Sequence, residues 1–157
     1  MKARVSIQTE DFNLSDEVDA LKNIDRRIGA ICTFTGTVRD HNDGLIVSSM
    51  ELEHYPGMTE KAIEAMIDEA MKRFDIFGAR VVHRVGLLQP LDQVVLVAVT
   101  SAHRAESFKA CEFLMDYLKT QAPFWKKEQT PDGARWVDAR LTDDAALAKW
   151  GIQAKNA

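Results

Sequence analysis

The chain has 157 residues, of which 46% are hydrophobic and 28% charged, and its formal net charge is −4. These values describe a soluble globular protein whose surface as a whole is not drawn to nucleic acid or anionic membranes, so any anion recognition has to be local. No apolar run approaches a membrane span, MKARVSIQTEDF lacks the core of a secretory leader, and two cysteines allow at most one disulfide, so a cytoplasmic chain with reduced thiols is expected.

Arg4 to Gln8 reads as a short strand. Ser15 is placed to cap a helix, with Asp16 and Glu17 at its positive end and Val18, Leu21, Ile24 and Ile28 at helical spacing until Gly29. Ala30 to Arg39 alternates Cys32, Phe34 and Val38 against Thr33, Thr35 and Thr37. After the turn-like stretch 41–44, Leu45 to Tyr55 reads as a second strand, and the two are expected to pair as a hairpin.

Pro56-Gly57 punctuates the chain, and Thr59 is expected to cap a helix with an apolar stripe from Ala62 to Phe74. Strands are predicted over Ala79 to Val85 and Gln93 to Ser101, the second buried on both faces, with a loop at Gly86 and Pro90 between them. The helix after Ser101 places Phe108, Cys111, Met115 and Leu118 on one side and stops at Pro123. Phe124 and Trp125 are costly to expose and are expected to form an inward-packing corner. Pro131-Asp132-Gly133 makes a turn before Trp136-Val137. The sum is one α+β domain over 1–157, its tail 142–157 a short helix or a loose end.

Positive charge is concentrated in Ser101–Glu128. His103 and Arg104 fall where a helix begins, and its unpaired N–H groups together with a guanidinium suit a phosphate; solvated surface charge is the competing reading. Lys119 falls in the last helical turn, where the dipole alone would favour it. Lys126 and Lys127 follow the aromatic corner, so that one lysine beside apolar walls could serve as acid, base or nucleophile, with Glu128 as an orienting partner. Gly36, three residues before Arg39, suggests a bulge or a close backbone approach. Cys32 and Cys111 have no adjacent base and read as buried, inert thiols. His41, His54 and His83 show no metal-ligand spacing. No metal and no cofactor is expected.

His103 and Lys119 would be separated by roughly 24 Å on a continuous helix. One small ligand cannot touch both ends. A shared site therefore requires a second copy of the chain, giving a symmetric dimer with sites across the interface.

The segments GAICTFTGTVRDHNDG (29–44), LEHYPGM (52–58), HRVGLL (83–88), VAVTSAHRAESFKACEFLMDYLKTQAPFWKKE (97–128) and the following G-x-x-W (133–136) make the chain resemble the large, catalytic subunit family of molybdopterin synthase over nearly its whole length. Phe124 and His54 depart from the residues common there. The resemblance implies an α/β-hammerhead fold with a mixed or antiparallel sheet and packed helices. It implies a homodimer at the core of a heterotetramer, with a small ubiquitin-like sulfur carrier at each end whose Gly-Gly tail bears a thiocarboxylate. The implied reaction is sulfur transfer to cyclic pyranopterin monophosphate, giving molybdopterin for molybdenum cofactor biosynthesis. It also implies Lys119 and Lys126 as catalytic residues, Thr37, Val38, Arg39, His103, Arg104, Lys127 and Glu128 as substrate-pocket residues, and Arg140 as a contribution from the neighbouring subunit. The alternative is a non-enzymatic module binding a nucleotide or another anion. Single-stranded nucleic acid binding is disfavoured by the net charge and the lack of a longer basic stripe.

Overall fold

The computed structural model describes residues 3–42, 44–137 and 141–152. Two four-stranded sheets organise the chain, which is α+β as the sequence implies. The first has the order β1 (Val5–Gln8), β6 (Gly78–Arg84), β8 (Gln93–Ser101), β2 (Ala30–Thr37). The β1–β6 pair is parallel, while β6–β8 and β8–β2 are antiparallel. The second sheet is antiparallel throughout and runs β10 (Gly133–Val137), β9 (Phe124–Thr130), β5 (Ser49–His54), β7 (Gly86–Leu88). A two-stranded ribbon joins β3 (His41–Asn42) to β4 (Leu45–Ile46).

Strand β8 is buried on both faces because helices cover both. Val95, Val97 and Val99 point into a core with Ile63, Met66 and Ile67 of α2 (Met58–Arg73) and Phe113 and Leu114 of α3 (Arg104–Gln121). Leu96, on the opposite face of the pleat, meets Val82 and Phe12 beside α1 (Leu14–Lys22). Arg80 shares that face and forms a buried ion pair with Glu17 of α1, Nε donating to Oε2 at 2.6 Å. Helix α4 (Leu141–Ala148) precedes Trp150, whose ring packs edge-on against Phe74 and Phe113 while its Nε1 donates to Asp116 at 2.8 Å. Of the tail 142–157, expected to be a short helix or a loose end, the part through Ala148 is helical and Trp150 docks, while residues 153–157 lie outside the described residues.

Several local expectations are corrected. Strand β2 pairs with β8 rather than with β5, so no long hairpin spans 30–55. The turn at 41–44 instead closes the short β3–β4 ribbon, and β5 crosses to the second sheet. Asn13, not Ser15, caps α1, accepting from the Asp16 N–H at 3.1 Å, and the helix ends at Lys22. Gly57 is the N-cap of α2, with the Glu60 carboxylate accepting from its N–H at 3.1 Å. Thr59 is used otherwise: its hydroxyl accepts from the Tyr55 N–H and donates to the Pro123 carbonyl, tying α2 to the end of α3. The aromatic corner is the start of β9, and Trp125 remains 48% exposed. Phe108 is exposed at 59% rather than packed with Cys111.

Candidate active site

Between the inner face of the second sheet, the β2 end of the first and the last turns of α3 lies a cavity of about 540 Å³. Its floor is apolar: Met50, Leu52 and Val38, which form a buried cluster with Leu88, line it together with Met115 and Leu118 of α3. Its cations come from three elements. Lys119 projects from α3, Lys126 from β9, and Arg39 from the segment after β2.

Strand parity explains which residues of 124–128 reach this space. Antiparallel register sets Phe124 opposite His54, Lys126 opposite Leu52 and Glu128 opposite Met50, all on the cavity side. Trp125 and Lys127 fall on the other face, paired with Glu53 and Glu51. The Lys127 ammonium lies 5.7 Å from the centre of the Trp136 ring there. Within one chain, Lys127 therefore does not line the cavity.

The Glu128 carboxylate is 6% exposed and accepts from Asn42 Nδ2 at 2.8 Å and from Arg135 Nη2 at 3.3 Å. Arg135 also donates to the Asn42 carbonyl at 3.1 Å. This network fixes the β3–β4 ribbon, and with it the chain from Arg39 to Asn42, against β9.

Gly36 lies at the rim, where the β2–β8 register shifts between Gly36 and Thr37. A Cβ at Gly36 would stand 2.8 Å from Val95 Cγ1, so the bulge needs the missing side chain. Past the bulge, the Val38 N–H donates to the Asp92 carbonyl at 2.9 Å and the Val38 carbonyl accepts from Leu91 at 2.8 Å. These bonds aim Thr37 and Arg39 at the cavity from a buried Val38.

His103 and Arg104 lie elsewhere. His103 is the N-cap of α3 and Arg104 its first residue; both are exposed and outside the cavity lining. Arg140 lies outside the described residues. Cys32 and Cys111 are free, and burial, with Cys32 alongside, pushes the Cys111 thiol up to about 12, so it is not a thiolate nucleophile. No cluster of three or more potential ligand side chains that could hold a metal occurs among the described residues. Among them, no helix is long and apolar enough to cross a membrane.

Two wall residues, His83 and Asn42, were not singled out for the cavity by the sequence, nor was Arg135, which braces Glu128. His83 offered the clearest signal, a titratable ring directly after Val81-Val82 inside a predicted strand.

Fold and cavity together define an α+β protein with a cationic, apolar-floored cavity where two sheets meet α3. The chain belongs to the MoaE protein family, whose model matches residues 7–121. It is 62% identical over 153 residues to a molybdopterin synthase catalytic subunit of Ralstonia nicotianae, covering 98% of this chain and 87% of that one. It is 48% identical over 149 residues to the protein of the same name from Escherichia coli, covering 95% and 99%. The solved molybdopterin biosynthesis MoaE protein of Burkholderia ambifaria superposes with a TM-score of 0.83 at 58% identity, covering 97% of this chain and all of the other.

Proposed function

We infer that this protein is the catalytic subunit of a molybdopterin synthase, transferring sulfur from the C-terminal thiocarboxylate of a small carrier subunit to cyclic pyranopterin monophosphate. The observation that carries the reading is the convergence of Lys119, Lys126 and Arg39 on one apolar-floored cavity. The relatives' designation as a catalytic subunit supports a further subunit, and a cavity lined in part by Gly36 suits a slim Gly-Gly tail. The substrate's cyclic phosphate accounts for local positive charge on an acidic chain.

Lys119 and Lys126 are assigned the proton transfers and charge stabilisation of the reaction: an ammonium beside the departing oxygen donates a proton to it, and the second stabilises charge as the carbonyl–sulfur bond forms and breaks. Thr37, Val38 and Arg39 line the substrate cavity. The exposed His103-Arg104 pair, at the opposite end of α3, is assigned to the cavity of a second copy, which makes the homodimer a requirement of the active site. Arg140 is assigned to the same neighbouring contribution.

The test mixes the protein with thiocarboxylated carrier and the cyclic pterin and follows dithiolene product by mass spectrometry. Wild type is expected to form it, and Lys119→Ala to form none while keeping its fold. Normal single-turnover product from Lys119→Ala refutes the assignment. Lys119→Arg and Lys126→Arg variants that retain every function would favour simple anion binding.

A further inference from the structure

His83, on β6 opposite Val95, occupies the cavity wall between the two lysines and the aromatic start of β9. The side chain is 8% exposed, and its ring stacks on Phe124 with centroids 3.9 Å apart and planes 20° from parallel. Nδ1 lies 2.8 Å from the Arg84 carbonyl oxygen. A carbonyl only accepts, so Nδ1 carries the proton, and in the neutral ring Nε2 presents a lone pair. Among the described residues, Nε2 has no hydrogen-bond partner.

The ring is neutral at physiological pH. Burial is the main cause, lowering its pKa to about 4; the Arg84 carbonyl opposes this, while Lys119, Lys126 and His54 add to it. The charged groups around it come from every side: Lys119 from α3, Lys126 and Glu128 from β9, His54 from β5, and Arg39 and His41 from the segment after β2. A cationic imidazole here would repel the lysines. A neutral one with a fixed tautomer can hold one.

We propose that His83 is a positioning residue of this site: its Nε2 lone pair accepts a hydrogen bond from the Lys119 ammonium and holds that flexible side chain against the substrate. Lys119 fits the role because its side chain is exposed and has no ion-pair partner among the described residues to restrain its four-carbon stem. The inference rests on the synthase reading for the identity of the reaction, but not for the hydrogen bond.

The experiment measures single-turnover product formation across pH for wild type, His83→Asn and His83→Gln. Asn keeps a donor for the Arg84 carbonyl and lacks the distal acceptor, whereas Gln places an amide oxygen near the Nε2 position. His83→Asn is expected to slow transfer about tenfold, the effect of one hydrogen bond to a charged group. KM for the pterin is expected to change little at each pH. His83→Gln is expected to recover part of the lost rate. An unchanged rate, or a slower rate with no recovery by Gln, overturns the proposal.

Nitrogen-15 NMR of the histidines in the full chain gives an independent reading that needs no turnover. At pH 7 His83 is expected as the neutral Nδ1–H tautomer, with an Nε2 resonance that moves in Lys119→Ala. The other tautomer, or an Nε2 signal indifferent to Lys119, overturns the proposal whatever the kinetics. Absence of product from wild type would count against the synthase reading instead, and the NMR comparison would then decide the role of His83 alone.

Discussion

Acidification should destabilise this protein before its carboxylates titrate, and His83 should be the cause. Its folded pKa is about 4 against an ordinary value of 6.5. A base whose pKa is lowered on folding leaves the unfolded state binding more protons between those values, so stability falls as pH drops through 6.5 and levels off below 4. Between pH 7 and pH 5 the two values correspond to about 2 kcal/mol. Urea denaturation at fixed protein concentration should show this loss in wild type as a lower midpoint with an unchanged slope. In His83→Asn, which cannot take up the proton in either state, the loss between the same pH values should be smaller by that amount. Equal losses in the two proteins would show that the imidazole is not held neutral, and the tautomer argument at the cavity would fail with it.

Gly29→Ala should destabilise by about 2–4 kcal/mol in urea melts, because a Cβ there would stand 2.4 Å from the Ala102 backbone carbonyl, where neither side can yield cheaply; a wild-type midpoint would mean that the β2 entry and the 101–103 segment are not packed as described. Glu17→Ala strands the buried Arg80 guanidinium and should cost about 3–5 kcal/mol, read by thermal or urea unfolding. Arg104→Ala should weaken binding of the cyclic pterin in a titration while leaving the midpoint of unfolding in place, since its side chain is exposed and has no ion-pair partner among the described residues; an unchanged dissociation constant removes Arg104 from the site.

What the sequence disclosed follows the range of the interactions involved. Helix α3 and strand β8 were readable because periodicity, Pro123 and a continuous apolar run are local signals. The partner of β2 was not, since Cys32 opposite Val99 is a pairing across 67 residues that no local pattern encodes. Strand β9 was misread as a corner because Pro123-Phe124-Trp125 looks like punctuation, and only its neighbours β5 and β10 make it extended. Lys119, Lys126 and Arg39 were named from the sequence and share the cavity, whereas the Glu128–Asn42–Arg135 network joins residues from three strands and had no signature. His83 was weighed only as a metal ligand, and its carbonyl bond and stacking ring are purely tertiary facts.

Neighbouring lysines 126 and 127 differ in fate through pleat parity alone, one turned inward and the other toward Trp136. Composition is therefore a poor guide to tolerance along this segment. Removing Trp125 with the register held at Phe124 would preserve both ammonium groups, yet exchange which of them reaches the interior.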